Sequence, residues 1–308
     1  MSKKEIQKDY KKRIKLINQY NDYYYDKSAP KVTDKEYDEL KESILLLEKK
    51  YDFLNSKNSP DKTVGYKPSK NFQKITHKVP MLSLANAFAR DDLINFEKKI
   101  QNFLSKNKDF QLSYSAEPKI DGISASLIYK KGEFKVGLSR GDGKEGEDIT
   151  ANLATIKDIP KKIQSKDFPE EIDIRGEVFI QNSDFENLKE KFANPRNAAS
   201  GSLRQKNPED TKKIPLKFIA YAYGYEKGLK VKNQTDFLKN LNNWGFKTNP
   251  LNKLVTGVDN LLINYSKIEN DRAKIDFDID GIVYKINDFE LQKRLGNVAN
   301  SPRWAIAH

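Results

Sequence analysis

The chain has no cysteine and only two histidines, two methionines and two tryptophans in 308 residues. The absence of cysteine excludes disulfide bonds, thiolate metal sites and thiol nucleophiles. The histidines, His77 and His308, have no partner at a spacing typical of metal ligands, so no chemistry is assigned to them. The sequence also lacks a run of about 18 apolar residues and a charged-then-apolar leader, which predicts a cytoplasmic protein without a membrane span.

Negative charge is the scarcer sign, with 44 Asp and Glu against 56 Lys and Arg, which gives a formal net charge of +12. This excess suits a polyanionic partner such as nucleic acid. Abundant Lys, Asn, Ile and Tyr are also typical of an AT-rich genome, so the charge is a secondary argument. The length is sufficient for two domains.

The first part of the chain, residues 3 to about 56, has apolar residues at helical spacing in two stretches. Thr33 or Asp34 is suited to cap the second helix. A stretch that contains Pro, Gly and Lys without periodicity follows and is interpreted as a linker. We therefore predict a small helical domain over residues 1–70 and a larger domain over residues 71–308.

The larger domain has short alternating patterns that predict antiparallel strands. Apolar residues alternate over 123–129 and 134–138, on either side of a turn at Lys131-Gly132. Further strands are predicted at 171–180, 216–224 and 281–287, with helices at 183–191, 234–243 and 258–272. The fold class is therefore α+β, with antiparallel sheets and no regular βαβ repeat.

The most informative local feature is Lys119, in the sequence EPKIDG at 117–122. If this segment is extended, Glu117, Lys119 and Asp121 point to one face. A lysine amine, with a reference pKa of about 10.4, must lose its proton before it can act as a nucleophile. Lys-x-Asp-Gly alone is a weak pattern, and a surface turn after a strand is the alternative.

Seven segments together resemble one family, the bacterial NAD-dependent DNA ligases. They are MLSLANAF at 81–88, KIDG at 119–122, SRGDGKEGEDIT at 139–150, IRGEVF at 174–179, FANPRNAASGSLRQ at 192–205, DIDGIVYK at 278–285 and PRWAIA at 302–307. The resemblance implies a small helical domain that binds the nicotinamide mononucleotide (NMN) part of NAD. A nucleotidyltransferase domain, ATP-grasp-like and typical of ligase adenylation domains, would follow it.

The resemblance also implies a reaction, an EC 6.5.1.2 type of activity. Lys119 attacks the α-phosphate of NAD, NMN leaves and a lysyl-AMP phosphoramidate remains. This is the first step in sealing nicks in duplex DNA during replication and repair. The implied cofactors are NAD and Mg²⁺, the implied partner is nicked duplex DNA, and the protein is expected to be a monomer.

Five residues are implied to bind the adenosine part of NAD. Glu117 would accept a hydrogen bond from the adenine amino group, and Ser83 and Leu84 would lie near the base. Tyr221 would stack on adenine, with core packing as the alternative. Arg140 would contact the ribose or a phosphate.

Four residues are implied to act near the phosphate. Lys285 would neutralise it and help to keep the Lys119 amine unprotonated. Asp121 would position the lysine or a metal ion. Glu177 would hold the ribose or a hydrated Mg²⁺, with a cross-strand ion pair to Arg175 as the alternative. Asp280 is expected to be mainly structural.

Five residues of the helical domain would select NAD rather than ATP. They are Tyr24, Tyr25, Asp34, Tyr37 and Asp38, which resemble residues that stack on the nicotinamide ring and hydrogen-bond its ribose, phosphate or amide. The alternative is a helical hairpin with buried tyrosines and a capping aspartate.

Two arginines, Arg196 and Arg204, resemble the phosphate- and nick-contacting arginines of the family; a solvated loop is the alternative. The family motif at PRWAIA normally continues with a lysine just beyond His308. A zinc finger with four cysteines and further DNA-gripping domains are expected downstream of it. The sequence is therefore expected to be an amino-terminal fragment that adenylates itself slowly and does not seal nicks.

Two other functions stay open at this point. Lys-x-Asp-Gly is shared with nucleotidyltransferases that use ATP or GTP. A non-catalytic nucleic-acid-binding module is also compatible with the positive charge.

Overall fold

The computed structural model describes residues 3–21, 32, 34–54, 59, 72–107 and 110–308. The helices are α1 (Lys3–Asn21), α2 (Asp34–Lys50), α3 (Arg90–Phe103), α4 (Thr150–Leu153), α5 (Asn182–Phe185), α6 (Pro195–Leu203), α7 (Pro208–Lys212), α8 (Gln234–Asn243), α9 (Val258–Asp271) and α10 (Phe289–Leu295). The strands are β1 (Lys74–Thr76), β2 (Ala85–Asn86), β3 (Ser113–Ile120), β4 (Ile123–Lys130), β5 (Glu133–Ser139), β6 (Glu145–Glu147), β7 (Glu171–Phe179), β8 (Lys217–Lys227), β9 (Lys253–Thr256), β10 (Ile279–Ile286), β11 (Asn297–Val298), β12 (Ser301–Pro302) and β13 (Ala305–Ala307).

The amino-terminal helices α1 and α2 pack on each other through the apolar positions that the periodicity identified. The buried core residues are Ile6, Tyr10, Ile14 and Ile17 of α1 and Ile44 of α2, together with Leu54 after α2. The predicted helical character of residues 3–56 is confirmed for both helices. A short 3₁₀ segment, Asp52–Leu54, follows α2.

The remaining described residues form two larger sheets, each with its own apolar core. One sheet has the strand order β2-β13-β10-β3-β9, and the other has the order β5-β4-β7-β8. Every neighbouring pair in these sheets is antiparallel except β13 with β2. The predicted α+β class with antiparallel sheets is therefore confirmed.

The chain crosses from one sheet to the other at Asp121-Gly122, since β3 belongs to the first sheet and β4 to the second. Gly122 is required there, because a Cβ atom would lie 2.4 Å from the carbonyl oxygen of Val178. Three buried residues, Ile120, Phe179 and Ile219, pack close to this crossing. The Lys-x-Asp-Gly motif thus lies where the two sheets meet.

Two local predictions differ from the structure. The segment with Arg196 is not a solvated loop, because α6 has Pro195 in its first turn, a capping Asn194 side chain and fully buried Ala198 and Ala199. The helix predicted at 183–191 is only α5 followed by one 3₁₀ turn. Within 183–191 only Phe185 and Leu188 are apolar and pack on the core, so little tertiary packing supports a longer helix.

Candidate active site

The site lies at the ends of β3 and β10, neighbours in the five-stranded sheet. Their register shifts between Ile279 and Ile282, so Asp280 lies at the irregularity rather than in a regular pair. Gly281 makes the irregularity possible: its φ is +114° and a Cβ atom would lie 2.1 Å from the carbonyl oxygen of His308. This local geometry places Asp280 next to Lys119.

We call Lys119, Asp280, Asp121 and Arg196 the outer group. Lys119 Nζ lies 2.5 Å from Asp280 Oδ2, and Arg196 Nη1 lies 2.6 Å from Asp121 Oδ1. Burial acts to raise the pKa of Asp280, but the cations of Lys119, Arg196 and Arg272 outweigh it and hold that pKa below its ordinary value. The expectation that Asp280 is mainly structural therefore omitted its direct contact with the candidate nucleophile.

We call Glu117, Lys285, Gln234 and Tyr221 the inner group. Lys285 Nζ donates to Glu117 Oε2 at 2.7 Å and to the Tyr221 carbonyl oxygen at 2.9 Å. Gln234 Nε2 donates to Glu117 Oε1 and to the same Tyr221 carbonyl, both at 2.8 Å. Because Glu117 and Lys285 belong to one sheet and Tyr221 to the other, these bonds join the two sheets.

Glu117 retains acceptor capacity in spite of its burial. Its Oε1 accepts from Ser115 Oγ at 2.9 Å as well as from Gln234, whereas Oε2 accepts from Lys285. A carboxylate has about four lone-pair positions. Among the contacts of the described residues, one acceptor position of Glu117 is therefore left for another donor.

Glu177 is a buried carboxyl group beside the outer group. Its Oε2 accepts from Ser124 Oγ at 3.0 Å and from the Tyr221 hydroxyl at 3.3 Å. Burial raises the pKa of Glu177 to about 7, against the lowering effect of Arg196. The alternative ion pair with Arg175 is wrong for these two described residues, because Arg175 pairs with Asp173 on its own strand.

Two of the predicted nucleotide-binding residues, Arg140 and Ser83, are in contact, and the charge of Arg140 acts on Tyr221. Arg140 Nη2 donates to Ser83 Oγ at 2.9 Å, and the neighbouring Leu84 is half-buried. Arg204, predicted to contact DNA, lies 3.4 Å from Glu147 through its Nε atom. The structure thus brings Ser83 and Arg140 into direct contact, and their roles towards a ligand stay predictions.

The predicted NMN-binding residues lie largely outside the described part of the chain. This applies to Tyr24 and Tyr25 and to the side chains of Asp34 and Asp38. Tyr37 is half-buried and its hydroxyl donates to Asn21 Oδ1 at 2.8 Å. The assignment of these five residues therefore stays a prediction.

Sequence reasoning missed the contacts of several residues that organise the site. Gln234 has no sequence signal, since it is a single amide at the start of α8. Asp280 has a sequence signal, because Asp280-Gly281 repeats the Asp-Gly pair of Asp121-Gly122. Each pair lies at an end or an irregularity of a strand. His77 is buried, and its Nε2 lies 3.2 Å from the Arg140 carbonyl oxygen, although it has no neighbouring histidine or acid in sequence.

Two searches of the described residues are negative. They contain no group of three or more His, Asp or Glu side chains arranged to hold a metal ion. None of the helices formed by those residues has the length and apolar character needed to cross a bilayer.

Comparison with known proteins gives matches over nearly the whole chain. Residues 69–308 match the NAD-dependent DNA ligase adenylation domain, and residues 3–65 match the DNA ligase-like, N-terminal NAD+-binding domain. A DNA ligase of Pelagibacter ubique (strain HTCC1062) is 65% identical over 308 residues, which are 100% of this chain and 46% of that protein. A DNA ligase of Bradyrhizobium sp. (strain ORS 278) is 43% identical, with 100% of this chain and 44% of that protein covered.

A solved structure, mycobacterial DNA ligase D complexed with ATP and MES, has a TM-score of 0.38 and 14% identity over 63% of this chain and 54% of its own. A similarity of that strength adds nothing to the assignment. The chain spans about half the length of the curated relatives, 46% and 44% of the two named above. The two family matches and the identities to these relatives show that the chain belongs to the NAD-dependent DNA ligase family.

Proposed function

We propose that this chain performs self-adenylation, in which NAD transfers AMP to Lys119 and NMN is released. The observation that carries this proposal is the position of Lys119. The Lys119 side chain lies at the crossing between the sheets, is 37% exposed and, among the described residues, forms an ion pair with Asp280. An amine in that position can be reached by a nucleotide while the fixed inner group lies close by.

The proposed reaction begins from the Lys119–Asp280 ion pair. An ammonium group has no lone pair, so the Lys119 amine must lose a proton before it attacks. Asp280 Oδ2, at 2.5 Å from Nζ, is placed to accept that proton. The Nζ lone pair then forms a bond to the α-phosphorus of NAD, and the bond between that phosphorus and the bridging oxygen breaks, so that NMN leaves with the oxygen.

The inner group is suited to bind the adenine ring. The remaining acceptor position of Glu117 matches the adenine amino group, a hydrogen-bond donor. Tyr221 supplies an aromatic face whose orientation is constrained by its hydroxyl contact with Glu177. Among the contacts of the described residues, Lys285 uses two of its three N–H donors, on Glu117 and on the Tyr221 carbonyl, and the third would donate to a phosphate oxygen.

Arg140, Ser83 and Leu84 complete the nucleotide site in this proposal. The Arg140 guanidinium, which already donates to Ser83, would contact the ribose or a phosphate of NAD. Leu84 and Ser83 would border the base.

Mg²⁺ is the metal that the proposed reaction requires, and Asp121 and Glu177 are the acids proposed to hold it. Mg²⁺ usually retains several waters and uses one or two carboxylates together with substrate phosphates. Burial and, to a smaller extent, the negative charge of Asp121 raise the pKa of Glu177, so a cation held by these two acids would offset their repulsion. The ion would neutralise negative charge on the phosphates.

The helical domain is proposed to make the reaction specific for NAD. We place it at residues 1–70 and the adenylation domain at residues 71–308. Tyr24, Tyr25, Asp34, Tyr37 and Asp38 would contact the NMN half, the part of the cofactor that leaves. Binding energy on a remote part of the substrate can support the reaction at the α-phosphate.

The complete protein is proposed to be a monomeric, cytoplasmic DNA ligase that seals nicks during replication and repair. Arg196 and Arg204 would contact the DNA phosphates, and the positive net charge of the chain would favour duplex binding. Zn²⁺ would belong to a part of such a ligase outside the present sequence.

The test is intact-mass measurement after incubation with Mg²⁺ and NAD, ATP or GTP in parallel. The proposal predicts that NAD adds one AMP and that peptide mapping places it on Lys119. ATP and GTP should give no covalent product. Preferential labelling by ATP or GTP would instead support another nucleotidyltransferase, and no labelling with any nucleotide would support a binding module.

A variant of the helical domain tests the choice of cofactor. In the full-length enzyme, Asp38→Ala should suppress adenylation by NAD, while a pre-adenylated sample of the same variant still seals a nick. Equal loss of the two activities would show that Asp38 has a structural role.

A further inference from the structure

His77 is a buried histidine that contacts the loop after Arg140. It directly follows β1, which pairs with β6, and its backbone N–H donates to the Lys144 carbonyl oxygen at 2.8 Å. Only 5% of the residue is exposed. The strand pairing therefore fixes His77 against the segment that connects Arg140 to β6.

The imidazole ring of His77 lies against two backbone carbonyl groups, those of Arg140 and Ser139. Its Nε2 atom lies 3.2 Å from the carbonyl oxygen of Arg140. Because a carbonyl oxygen only accepts, Nε2 must carry the proton and donate. The Nδ1 atom is buried and has no hydrogen-bond partner among the described residues. Burial lowers the pKa of His77, against the opposing effect of Asp173, which favours the neutral ring.

Gly146 supplies the space for this ring. A Cβ atom at position 146 would lie 2.9 Å from His77 Nε2 and 2.1 Å from the Ser139 carbonyl oxygen. The glycine therefore lets the imidazole approach the end of β5 closely enough to reach the Arg140 carbonyl.

The segment that carries His77 is fixed again a few residues later. Arg175 Nη1 donates to the Pro80 carbonyl oxygen at 3.1 Å, and Arg175 pairs with the buried Asp173 at 3.1 Å. Ser83, in the same segment, then accepts from the Arg140 side chain at 2.9 Å. Two residues of this segment therefore hold Arg140. His77 contacts its backbone carbonyl, and Ser83 contacts its guanidinium.

We propose that His77 is a positioning residue that acts through Arg140. Its Nε2–H fixes the Arg140 backbone, so that the guanidinium is presented to the ribose or phosphate of the nucleotide. The inference rests on the proposed self-adenylation, in which Arg140 contacts NAD. His77 itself touches neither the cofactor nor the reacting atoms.

The test compares His77→Leu, which lacks the donor, with His77→Gln, whose side-chain amide places an N–H group close to the position of Nε2. Single-turnover formation of lysyl-AMP across NAD concentrations gives the half-saturating concentration and the maximum rate. We expect His77→Leu to raise the half-saturating NAD concentration about tenfold, the scale of one lost hydrogen bond, with a nearly unchanged maximum rate. His77→Gln should restore most of this loss.

The inference would be overturned if His77→Leu left the half-saturating NAD concentration unchanged or lowered only the maximum rate. It would also be overturned if His77→Gln raised the half-saturating NAD concentration as much as His77→Leu does. Failure of the unmutated chain to form lysyl-AMP would refute the proposed function instead, so the two failures are distinguishable.

A second measurement covers the case in which His77→Leu does not fold. The chain has only two histidines, so ¹⁵N NMR spectra of the unmutated protein and His77→Gln assign both rings. We expect His77 as the Nε2–H tautomer. A ring that carries its proton on Nδ1 alone would overturn the inference, because it has no N–H to donate to Arg140.

Discussion

The inner and outer groups lie side by side but differ in burial. The side chains of Lys285 and Glu117 are 9% and 5% exposed, whereas those of Lys119 and Asp280 are 37% and 27% exposed. Removing one partner of a buried ion pair costs about 3–5 kcal/mol, because the other charge is left uncompensated. An ion pair in contact with water contributes only about 0–1 kcal/mol.

This difference separates two tasks within one site. The inner group is a rigid framework, because its side chains share acceptors and join two sheets. The outer group holds Lys119 through a contact that can be broken at small cost. The arrangement of the outer group suits a nucleophile that must leave its carboxylate to attack a phosphate. The rigid inner group suits a specific pocket for a base.

The largest stability effect should come from the inner group. Glu117→Ala removes the acceptor of Ser115, Gln234 and Lys285 and should lower the free energy of unfolding by about 3–5 kcal/mol. Asp280→Ala is the matched control in the outer group and should cost about 1 kcal/mol or less. Urea unfolding measures both. Similar losses in the two variants would remove the distinction between the groups.

Glu177 should make stability depend on pH. Burial raises its folded-state pKa to about 7 from an ordinary value of 4.5. Folding therefore favours the protonated form of Glu177. The stability that this form contributes is fully present below pH 4.5 and is lost as pH rises through 7. Glutamine stays neutral at every pH. As pH rises from 4.5 to above 7, the free energy of unfolding of Glu177→Gln should therefore increase by about 3 kcal/mol relative to that of the unmutated chain.

Unfolding curves of both proteins from pH 4 to pH 8 give the difference directly, because titrations common to them cancel. A difference that is constant over this range would show that Glu177 is not held with a raised pKa.

Arg196 should affect DNA binding more than stability. If it contacts a phosphate, Arg196→Ala should lower the slope of log Kd against log salt concentration by about one. Fluorescence anisotropy with a nicked duplex measures this slope. Lys213→Ala removes the same charge from a lysine that pairs with Asp210 on the surface, and it is the control. Equal changes in the two variants would assign the effect to net charge alone.

The smallest effect is expected at Tyr221, and it separates base stacking from core packing. Tyr221→Phe loses the hydroxyl, with its 3.3 Å contact to Glu177 and its contact to Ser124, and should cost about 0.5 kcal/mol of stability without weakening NAD binding. Tyr221→Leu loses the aromatic face and should weaken NAD binding severalfold. NAD titrations and thermal unfolding of both variants test this. If Tyr221→Leu changes stability alone, the ring is core packing.

The sequence predicted the longer strands β4, β5, β7, β8 and β10 because the alternation of apolar residues is a local property. It did not predict short strands such as β1, β2 and β6, which have only two or three residues each. It placed Glu117 and Lys119 on one strand correctly, as their alternation requires. It could not show that Glu117 pairs with Lys285 or that Lys119 pairs with Asp280, because those contacts depend on the register of β3 with β10 and on its irregularity.

The same limit applies to residues that act through packing. Gln234 enters the inner group because α8 begins beside β8, and His77 reaches Arg140 because β1 pairs with β6. Neither contact has a signature in the residue types themselves. The helix α6 was missed for another reason, since the small residues Ala198 and Ala199 are buried but give a weak apolar pattern.

The most direct test of the separation between the groups is one matched pair of variants, Lys119→Met and Lys285→Met, incubated with NAD and Mg²⁺ and analysed by intact mass and urea unfolding. The account predicts that Lys119→Met gains no AMP and loses about 1 kcal/mol or less. It predicts that Lys285→Met loses about 3–5 kcal/mol, because Glu117 is left buried without its cation. AMP on the Lys119→Met variant, or an unchanged stability of Lys285→Met, would contradict the account.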